Sequence, residues 1–258
     1  MTIIISLLLL ASLLPHLTFT AHVNVNVNVS IVNGREARPH SRPYMVSLQF
    51  HGSHICGGSL ISNRFVLTAA HCWNRKMILT VAVGAHDLRN SKGSDSIGVK
   101  SYIPHPNYIG PPNPIQNDIM LLKLKKKVRL QRNVRLISLP NKGEDVGPDT
   151  VCSVAGWGYL ETNGPGSNVL MEADTTTINQ AECQRRWGTY FLAPQMICAY
   201  GYGGSCTGDS GGPLVCGKTA VGVTSFGDID VCNLPEHPEV YTKISAYIQW
   251  IRKEIGNK

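Results

Sequence analysis

The chain has 258 residues, of which 43% are hydrophobic and 16% are charged, and its formal net charge is +7. This composition excludes collagen-like, coiled-coil and disordered proteins, and its 25 glycines and 15 prolines are typical of a globular protein with many turns. The basic balance favours anionic partners such as acidic glycans, membranes or nucleic acid, although a solubilising surface charge explains it equally well.

The chain begins with an almost unbroken apolar run from Ile3 to Leu14, which Pro15 ends. The run is too short to cross a bilayer, for which about 20 residues are needed. It suits the apolar core of a secretory signal peptide, so we predict a signal peptide over residues 1–21. A buried N-terminal helix is the alternative, and no other segment approaches membrane-spanning length.

Residues 22–30 alternate valine with asparagine and end at Ser30, just before the sequence IVNG that begins at Ile31. The alternation could form a strand, but a leader removed after export better explains its position beside a signal peptide. The only N-glycosylation sequon, at residues 28–30, lies in this leader. We therefore expect a mature protein that begins at Ile31.

From Ile31 to about Val240, short apolar runs alternate with turn residues. A spacing of roughly 8–12 residues between such runs predicts an all-β barrel or sandwich. The runs cover residues 44–50, 60–67, 79–83, 119–124, 151–154, 213–216 and 220–225. The C-terminal end differs, because Ile244, Tyr247, Ile248, Ile251 and Ile255 recur at helical spacing and predict an amphipathic helix.

The eight cysteines form an even set, and none of them lies in the predicted signal peptide. In an exported protein this predicts four disulfides, although spacing alone leaves the pairing open. No cysteine pair has the spacing of a zinc site, so we expect no metal and no cofactor.

Three short motifs carry residues that suit catalysis. They are TAAHC with His71, NDIMLL with Asp118, and GDSGGP with Ser210. Each has an ordinary structural explanation by itself, as a surface histidine, a cap before a strand or a glycine-rich turn. Together they supply a nucleophile, a base and a carboxylate.

A serine hydroxyl is a weak nucleophile near neutral pH and needs a base that accepts its proton during attack. We assign Ser210 as the nucleophile, His71 as the base and acid, and Asp118 as the group that orients the imidazole. The tetrahedral oxyanion needs two fixed N–H donors, for which we assign the backbone N–H groups of Gly208 and Ser210.

With these motifs the chain resembles the chymotrypsin-like (trypsin-fold) serine endopeptidases, and in type the leukocyte granule proteases such as granzymes, cathepsin G and mast-cell proteases. The resemblance runs from Ile31 to the C-terminal helix and rests on IVNG, TAAHC, NDIMLLKL and GDSGGPLVC. It implies two six-stranded antiparallel Greek-key barrels and a C-terminal α-helix over residues 31–258, with the active site between the barrels. The disulfides that it implies are Cys56–Cys72, Cys152–Cys216, Cys183–Cys198 and Cys206–Cys232.

The resemblance also implies an activation step at Ile31. Cleavage before Ile31 would create an α-ammonium group that pairs with Asp209 and orders the oxyanion hole and the specificity pocket. A buried carboxylate needs such a partner. Ser30 stands where the family most often has Arg or Lys, so we expect either an activator unlike that of trypsin or aminopeptidase-like trimming.

For the primary specificity pocket, the resemblance places Gly204 at the base and Glu239 on the wall, and it implies that Ser205 binds substrate as well. The segment Ser225-Phe226-Gly227 would pair with the substrate backbone by strand addition. We expect Glu239 to meet basic side chains, with Lys or Arg and also large aromatic residues at P1, the residue before the cleaved bond. The alternative is a neutral, chymotrypsin-like pocket in which Glu239 turns to solvent or to an internal partner.

The expected binding partners follow from the basic net charge of the chain and from its resemblance to the granule proteases. A basic cluster would bind sulfated proteoglycan, although a solvated face is the ordinary explanation. Its members are Lys123, Lys125, Lys126, Lys127, Arg129, Arg132 and Arg135. We expect protein substrates, serpin-type inhibitors, a monomer and no nucleic acid, because no aromatic set interleaves these charges. A non-catalytic binding homologue is the competing hypothesis, although such homologues usually lose a member of the triad.

Overall fold

The computed structural model describes residues 31–90, 94–228, 231–232 and 236–256. The predicted signal peptide, the leader and Ser30 lie outside the described residues. Within them, no helix is long and apolar enough to cross a membrane.

The described residues form thirteen strands, two α-helices and two short 3-10 helices. The strands are β1 Arg35–Glu36, β2 Met45–Phe50, β3 Ser53–Leu60, β4 Phe65–Thr68, β5 Leu79–Val83, β6 Asp95–Pro104, β7 Met120–Leu124, β8 Val151–Gly156, β9 Met171–Thr177, β10 Met196–Tyr200, β11 Pro213–Cys216, β12 Thr219–Phe226 and β13 Glu239–Lys243. The α-helices are α1 Gln180–Trp187 and α2 Ile244–Gly256, and the 3-10 helices are Ala70–Cys72 and Gly188–Tyr190.

The first barrel closes in the order β2-β3-β4-β7-β6-β5, and all of its pairings are antiparallel. Its interior is filled by branched aliphatic side chains such as Leu48, Leu67 and Leu121, all fully buried. Leu67 lies opposite Leu121 in the β4–β7 register, so these side chains pack across the barrel wall.

The second barrel runs β8-β9-β10-β13-β12-β11, and the β11–β8 pairing closes it. The short strand β1 adds to the outer edge of β9. Strand β9 alternates buried and less buried residues, because one of its faces lines the core while the other carries Glu172 and Asp174. The predicted all-β fold of two six-stranded antiparallel barrels is therefore confirmed.

The C-terminal helix α2 is present over Ile244–Gly256, as the apolar spacing predicts. Although it follows the second barrel directly, its residues Ile244, Tyr247 and Ile251 belong to the same buried cluster as the first-barrel core. The helix therefore holds the two barrels together by burying apolar surface against the first one.

Four disulfides join the cysteines in the pairs Cys56–Cys72, Cys152–Cys216, Cys183–Cys198 and Cys206–Cys232. These are the pairs that the resemblance implies. No free cysteine is found in the described chain. Two of the disulfides lie beside functional segments, because Cys72 follows His71 and Cys206 lies in the loop that leads to Ser210.

One apolar run differs from its prediction. Residues 60–67 read as a single segment, but they belong to two strands separated by a turn. The Ser62 hydroxyl accepts hydrogen bonds from the backbone N–H groups of Arg64 and Phe65, at 3.2 and 3.0 Å. This side-chain cap stabilises the turn that reverses the chain between β3 and β4.

Candidate active site

The predicted catalytic residues converge on one cavity of about 260 Å³, whose lining includes His71, Ser210 and Glu239. His71 lies in the 3-10 turn that follows β4, and Asp118 lies just before β7, so the first barrel supplies both. Ser210 precedes β11, and Glu239 begins β13, so the second barrel supplies the other half of the site. The cavity therefore lies between the barrels.

A tight pair of contacts holds His71 against Asp118. The distance from His71 Nδ1 to Asp118 Oδ2 is 2.7 Å, and the backbone N–H of His71 donates to Asp118 Oδ1 at 3.0 Å. The Ser225 hydroxyl donates to Oδ2 at 2.6 Å. Since Asp118 is only 1% exposed, these donors replace the water that its carboxylate has lost.

The two partners shift each other's pKa. Burial opposes a charge on His71, but the Asp118 carboxylate outweighs burial and raises the pKa of His71 above 6.5. Burial likewise favours a neutral Asp118, but the His71 ring and the hydrogen bonds from His71 and Ser225 lower the pKa of Asp118. The carboxylate therefore stays ionised and favours a proton on the imidazole.

The segment that carries Ser210 depends on glycines. Gly211 has a φ of +81°, and a Cβ there would lie 2.2 Å from the Thr68 hydroxyl oxygen. Gly208 has a φ of +99°, and a Cβ there would lie 2.9 Å from the Gly158 Cα. Only glycine combines this backbone with such close approach, so the segment can present the N–H groups of Gly208 and Ser210.

His54 supports this segment from behind, a role that the sequence does not reveal. Its Nε2 lies 2.9 Å from the carbonyl oxygen of Gly208, and its Nδ1 lies 2.8 Å from the Ser47 hydroxyl. Because a carbonyl only accepts, Nε2 carries the hydrogen and Nδ1 accepts from Ser47. Burial lowers the pKa of His54 to about 4, so the ring is neutral at physiological pH.

Asp209 is a buried carboxyl, 2% exposed. Its oxygens accept hydrogen bonds from the backbone N–H groups of Gly158 at 2.8 Å and Cys206 at 3.0 Å. Burial is the main cause that raises its pKa to about 7, and these donors only partly oppose it. In the described part of the chain, no side chain forms an ion pair with it. Ile31 is fully buried in the second-barrel core.

Glu239 borders the cavity that Ser210 also lines, and its carboxyl lies beside Gly204. A Cβ added to Gly204 would lie 2.2 Å from Glu239 Oε1, so the glycine makes room for this carboxyl. The Ser205 hydroxyl donates to Oε2 at 2.6 Å, and the Tyr241 hydroxyl donates to the same oxygen. Burial raises the pKa of Glu239 above its ordinary value despite these donors.

The remaining walls of the pocket are mostly apolar. They include Phe226, Val231 and the Cys206–Cys232 disulfide. Gly227 also lines the cavity, and a Cβ added there would make an ordinary contact of 3.7 Å with Glu239 Cγ. Ser225 has a second role, since its hydroxyl is bound to Asp118 and not directed into the pocket alone.

The basic cluster differs from its prediction at one position. Lys123 is only 9% exposed because it lies within β7, and its ammonium group is 5.9 Å from the centroid of the Phe65 ring. The other six members are exposed: Lys125, Lys126, Lys127, Arg129, Arg132 and Arg135. Lys123 therefore does not belong to the basic surface.

Among the described residues, one group of potential metal ligands is close enough to share an ion: Cys56, His71 and Cys72. Both cysteines are joined in a disulfide and offer no thiolate. This cluster therefore does not suit a metal.

Comparison with known proteins identifies the family to which the chain belongs. The model of the family Trypsin matches residues 31–251. Rat granzyme B is 43% identical over 231 residues, which cover 86% of this chain and 90% of that protein. Human granzyme M is 42% identical over 241 residues, covering 91% and 92%. The solved structure of neuropsin, a serine protease expressed in the limbic system of mouse brain, has a TM-score of 0.81 and 37% identity, covering 86% and 98%.

The family match covers most of the chain, and these relatives span nearly its whole folded length. The chain therefore belongs to the trypsin family of serine endopeptidases, and within that family it is granzyme-like.

Proposed function

We propose that this protein is a secreted endopeptidase whose Ser210, His71 and Asp118 form a catalytic triad that hydrolyses peptide bonds through an acyl-enzyme. The observation that supports this most strongly is the 2.7 Å contact between His71 and Asp118 at a cavity that Ser210 also lines. The contact directs Nδ1 of the imidazole toward the carboxylate, so Nε2 is left to exchange a proton with Ser210.

In this mechanism His71 accepts the proton of Ser210 while the serine oxygen attacks the substrate carbonyl. The N–H groups of Gly208 and Ser210 stabilise the tetrahedral oxyanion. His71 then gives the proton to the leaving amine, and the acyl-enzyme forms. Water enters by the reverse sequence, with His71 again as the base, and Ser210 is regenerated.

We further propose that cleavage before Ile31 activates the enzyme through Asp209. The carboxyl of Asp209 is buried, and burial raises its pKa to about 7, so it lacks full compensation by its hydrogen bonds. A new α-ammonium at Ile31 would supply the missing charge and stabilise the ionised form. The loop that carries Gly208 and Ser210 would be fixed in the same step.

For the P1 residue we propose Lys or Arg together with large aromatic side chains. The carboxyl of Glu239 borders the pocket and offers a counter-charge for a cation, while Phe226 and Val231 offer apolar contacts. A neutral pocket is the second candidate, because the Ser205 and Tyr241 hydroxyls already bind this carboxyl internally. In that case aromatic and aliphatic residues alone would be accepted.

The signal peptide and the leader that the sequence predicts favour a protein that is exported, and the exposed part of the basic cluster favours binding to sulfated proteoglycan. Serpin-type inhibitors and a monomeric state belong to the same proposal. No described helix could span a membrane.

The test uses protein that begins at Ile31, with Ser210→Ala as the blank. We compare kcat/KM on peptides that differ only at P1, with Lys, Arg, Phe, Leu or Asp. We expect cleavage after Lys, Arg and Phe, and we expect Glu239→Gln to abolish cleavage after Lys and Arg while sparing Phe.

Cleavage after Phe and Leu alone would support the neutral pocket. Cleavage after Lys and Arg that persists in Glu239→Gln would show that another group recognises the cation. No cleavage above the Ser210→Ala blank on any peptide would overturn the endopeptidase proposal in favour of a binding homologue.

A further inference from the structure

The two hydroxyl groups that bind Glu239 approach the same carboxyl oxygen. Ser205 Oγ donates to Oε2 at 2.6 Å, and the Tyr241 hydroxyl donates to Oε2 as well. Oε1 lies on the other side, against Gly204. The carboxyl is therefore held in one orientation, in which one oxygen is occupied by hydroxyls of the protein and the other lies beside Gly204. Glu239 itself borders the cavity that Ser210 also lines.

No cation compensates this carboxyl in the described part of the chain. Two ionisable groups interact with it, Tyr241 on its own strand and Asp209 in the serine loop. Besides burial, the charge of Glu239 raises the pKa of both. Tyr200 and Tyr202 lie behind it. At the pocket wall, Asp228 is already paired with His237 at 2.9 Å. Glu239 thus shares a buried region with one other acid, Asp209, and with the phenol of Tyr241, whereas Tyr200 and Tyr202 are exposed. Among the described residues, no lysine or arginine pairs with Glu239.

Two forms of the pocket follow from this environment. When Glu239 is ionised, a basic P1 side chain supplies the missing counter-charge and is favoured. When Glu239 is protonated, the pocket is neutral, and its Phe226, Val231 and disulfide walls suit an aromatic P1 side chain. The ionisation of one carboxyl therefore decides between two classes of substrate.

We propose that Tyr241 and Ser205 are specificity-determining residues, because their hydroxyls set the pH at which Glu239 ionises and the pocket changes from aromatic to basic P1 residues. The proposal rests on the endopeptidase function proposed above. Tyr241 is fully buried and is absent from the residues that line the pocket, so it acts as a positioning residue through Glu239.

The direction of the pH dependence follows from the ionisation of the Glu239 carboxyl. Donors to a carboxylate stabilise its ionised form, so removing one donor makes Glu239 ionise only at higher pH. Since burial already raises the pKa of Glu239, the loss of Tyr241 as a donor should raise it further. Preference for a basic P1 residue should then appear only at a higher pH than in the parent enzyme.

The experiment measures kcat/KM for two peptides that differ only in Arg or Phe at P1, from pH 5 to 9, on protein that begins at Ile31. The ratio of the two values cancels the titration of His71, which both substrates require, and arginine keeps its charge throughout. We expect the Arg/Phe ratio to fall about tenfold for each pH unit below the pKa of Glu239 in the free enzyme.

Tyr241→Phe removes only the hydroxyl and should move the midpoint of the ratio to higher pH, with the ratio recovering above that midpoint. Ser205→Ala removes the other donor and should move the midpoint in the same direction. Glu239→Gln should give a ratio that favours Phe and does not change with pH. Tyr102→Phe, which removes a hydroxyl bound to the backbone of Leu79 in the first barrel, is the matched control and should leave the midpoint unchanged.

Each contrary result has its own meaning. A ratio that is flat with pH in the parent enzyme overturns the switch, and if Glu239→Gln still abolishes Arg cleavage, the proposed P1 assignment survives. A midpoint unmoved in both Tyr241→Phe and Ser205→Ala overturns the role of these hydroxyls. Absence of cleavage with either peptide would instead contradict the endopeptidase function itself.

Discussion

The Ser225 hydroxyl, on a strand of the second barrel, donates a 2.6 Å hydrogen bond to Oδ2 of Asp118, which lies at the start of a strand of the first barrel. The same oxygen is 2.7 Å from His71 Nδ1. The Asp118 carboxylate is thus bound from both barrels at one atom. Because charge-assisted hydrogen bonds are among the stronger ones, this contact ties the relative position of the barrels to the orientation of the imidazole.

Replacing Ser225 tests this link. We expect Ser225→Ala to lower kcat roughly 10- to 150-fold, since a hydrogen bond to a charged group contributes about 1.5–3 kcal/mol. The effect should be seen in steady-state kinetics on one peptide. The matched control is Ser245→Ala, which removes a buried serine that donates to Asp145 at 3.1 Å, away from the site. Equal activity of the Ser225 variant and the parent would contradict the link.

The second prediction concerns the titration of His71. Asp118 raises the pKa of His71 above 6.5 even though burial opposes it. In the inactive Ser210→Ala protein, NMR titration of the His71 ring should therefore give a midpoint above 6.5. Adding Asp118→Asn removes the charge while burial remains, so the midpoint should fall below 6.5. A midpoint that stays in place would show that Asp118 does not control the charge of the imidazole.

This raised pKa also has a consequence for stability. A histidine whose pKa is higher in the folded state stabilises the fold fully below its unfolded value of about 6.5, and that contribution is lost as the pH rises through the folded value. Asp118 acts in the opposite direction, since its pKa is lowered and its contribution is lost on acidification. The pair should therefore stabilise the fold most at mildly acidic pH.

The third prediction concerns Asp209 before activation. Its pKa of about 7 exceeds the value of 3.8 that it has as a free side chain, so between these values the folded chain binds a proton that the unfolded chain does not. Stability should therefore fall as the pH rises through this range, by up to roughly 1.4 kcal/mol per unit. The measurement is the free energy of unfolding of the leader-bearing Ser210→Ala chain at several pH values.

The added Asp209→Asn substitution should flatten this slope, because no proton is then exchanged at the site. A chain that begins at Ile31 should flatten it too if the new ammonium group pairs with Asp209. Equal slopes in all three proteins would argue against both the raised pKa and the activation step.

The fourth prediction concerns His54, which contacts the Gly208 carbonyl oxygen at 2.9 Å. This contact fixes the peptide that follows Gly208, the proposed oxyanion donor, so His54→Ala should lower kcat while leaving KM for the same substrate nearly unchanged. We expect a loss of roughly 10- to 100-fold, less than the loss from removing a donor itself. The neighbouring exposed His51 provides the control, as His51→Ala should change neither constant.

The fifth prediction concerns the exposed lysines at positions 125, 126 and 127. If this surface binds sulfated glycan, their joint replacement by alanine should lower the salt concentration that elutes the protein from a heparin column. Peptide cleavage should be unaffected. The equivalent change at Arg252 and Lys253 on α2 removes exposed charge elsewhere, and an equal loss of retention there would show that only net charge matters.

The sequence predicts a strand best where a run of apolar residues marks it without help from other features. The strands at 79–83 and 213–216 coincide with their apolar runs because burial dominates their composition. The sequence did not predict strand β9, because its exposed face is polar and interrupts the apolar run. It did not predict helix α1, because Cys183 is the only buried residue of that helix. The sequence could single out His71, Asp118 and Ser210 because a distinctive local motif surrounds each of them, and the structure brings them to one cleft.

The supporting residues of the site could not be found in this way. His54 and Ser47 act through a single chain of hydrogen bonds, and a lone histidine beside an ordinary strand carries no distinctive pattern. The role of Tyr241 depends on the hydrogen bond from its hydroxyl to Glu239, two residues earlier on the same strand. The alternation of a strand places both side chains on one face, but it does not show that the Tyr241 hydroxyl binds the same carboxyl oxygen as Ser205. Such roles depend on three-dimensional contacts.

The placement of α2 also matters for how the protein is made. Its residues Ile244, Tyr247 and Ile251 complete the apolar interior of a barrel whose strands are all synthesised far earlier. While the chain is still emerging, that interior has an exposed apolar face, which favours association with chaperones or other chains. The first barrel, which carries His71 and Asp118, should therefore reach its full stability only when the last residues are present, so we expect a chain truncated before α2 to be less stable and more readily degraded.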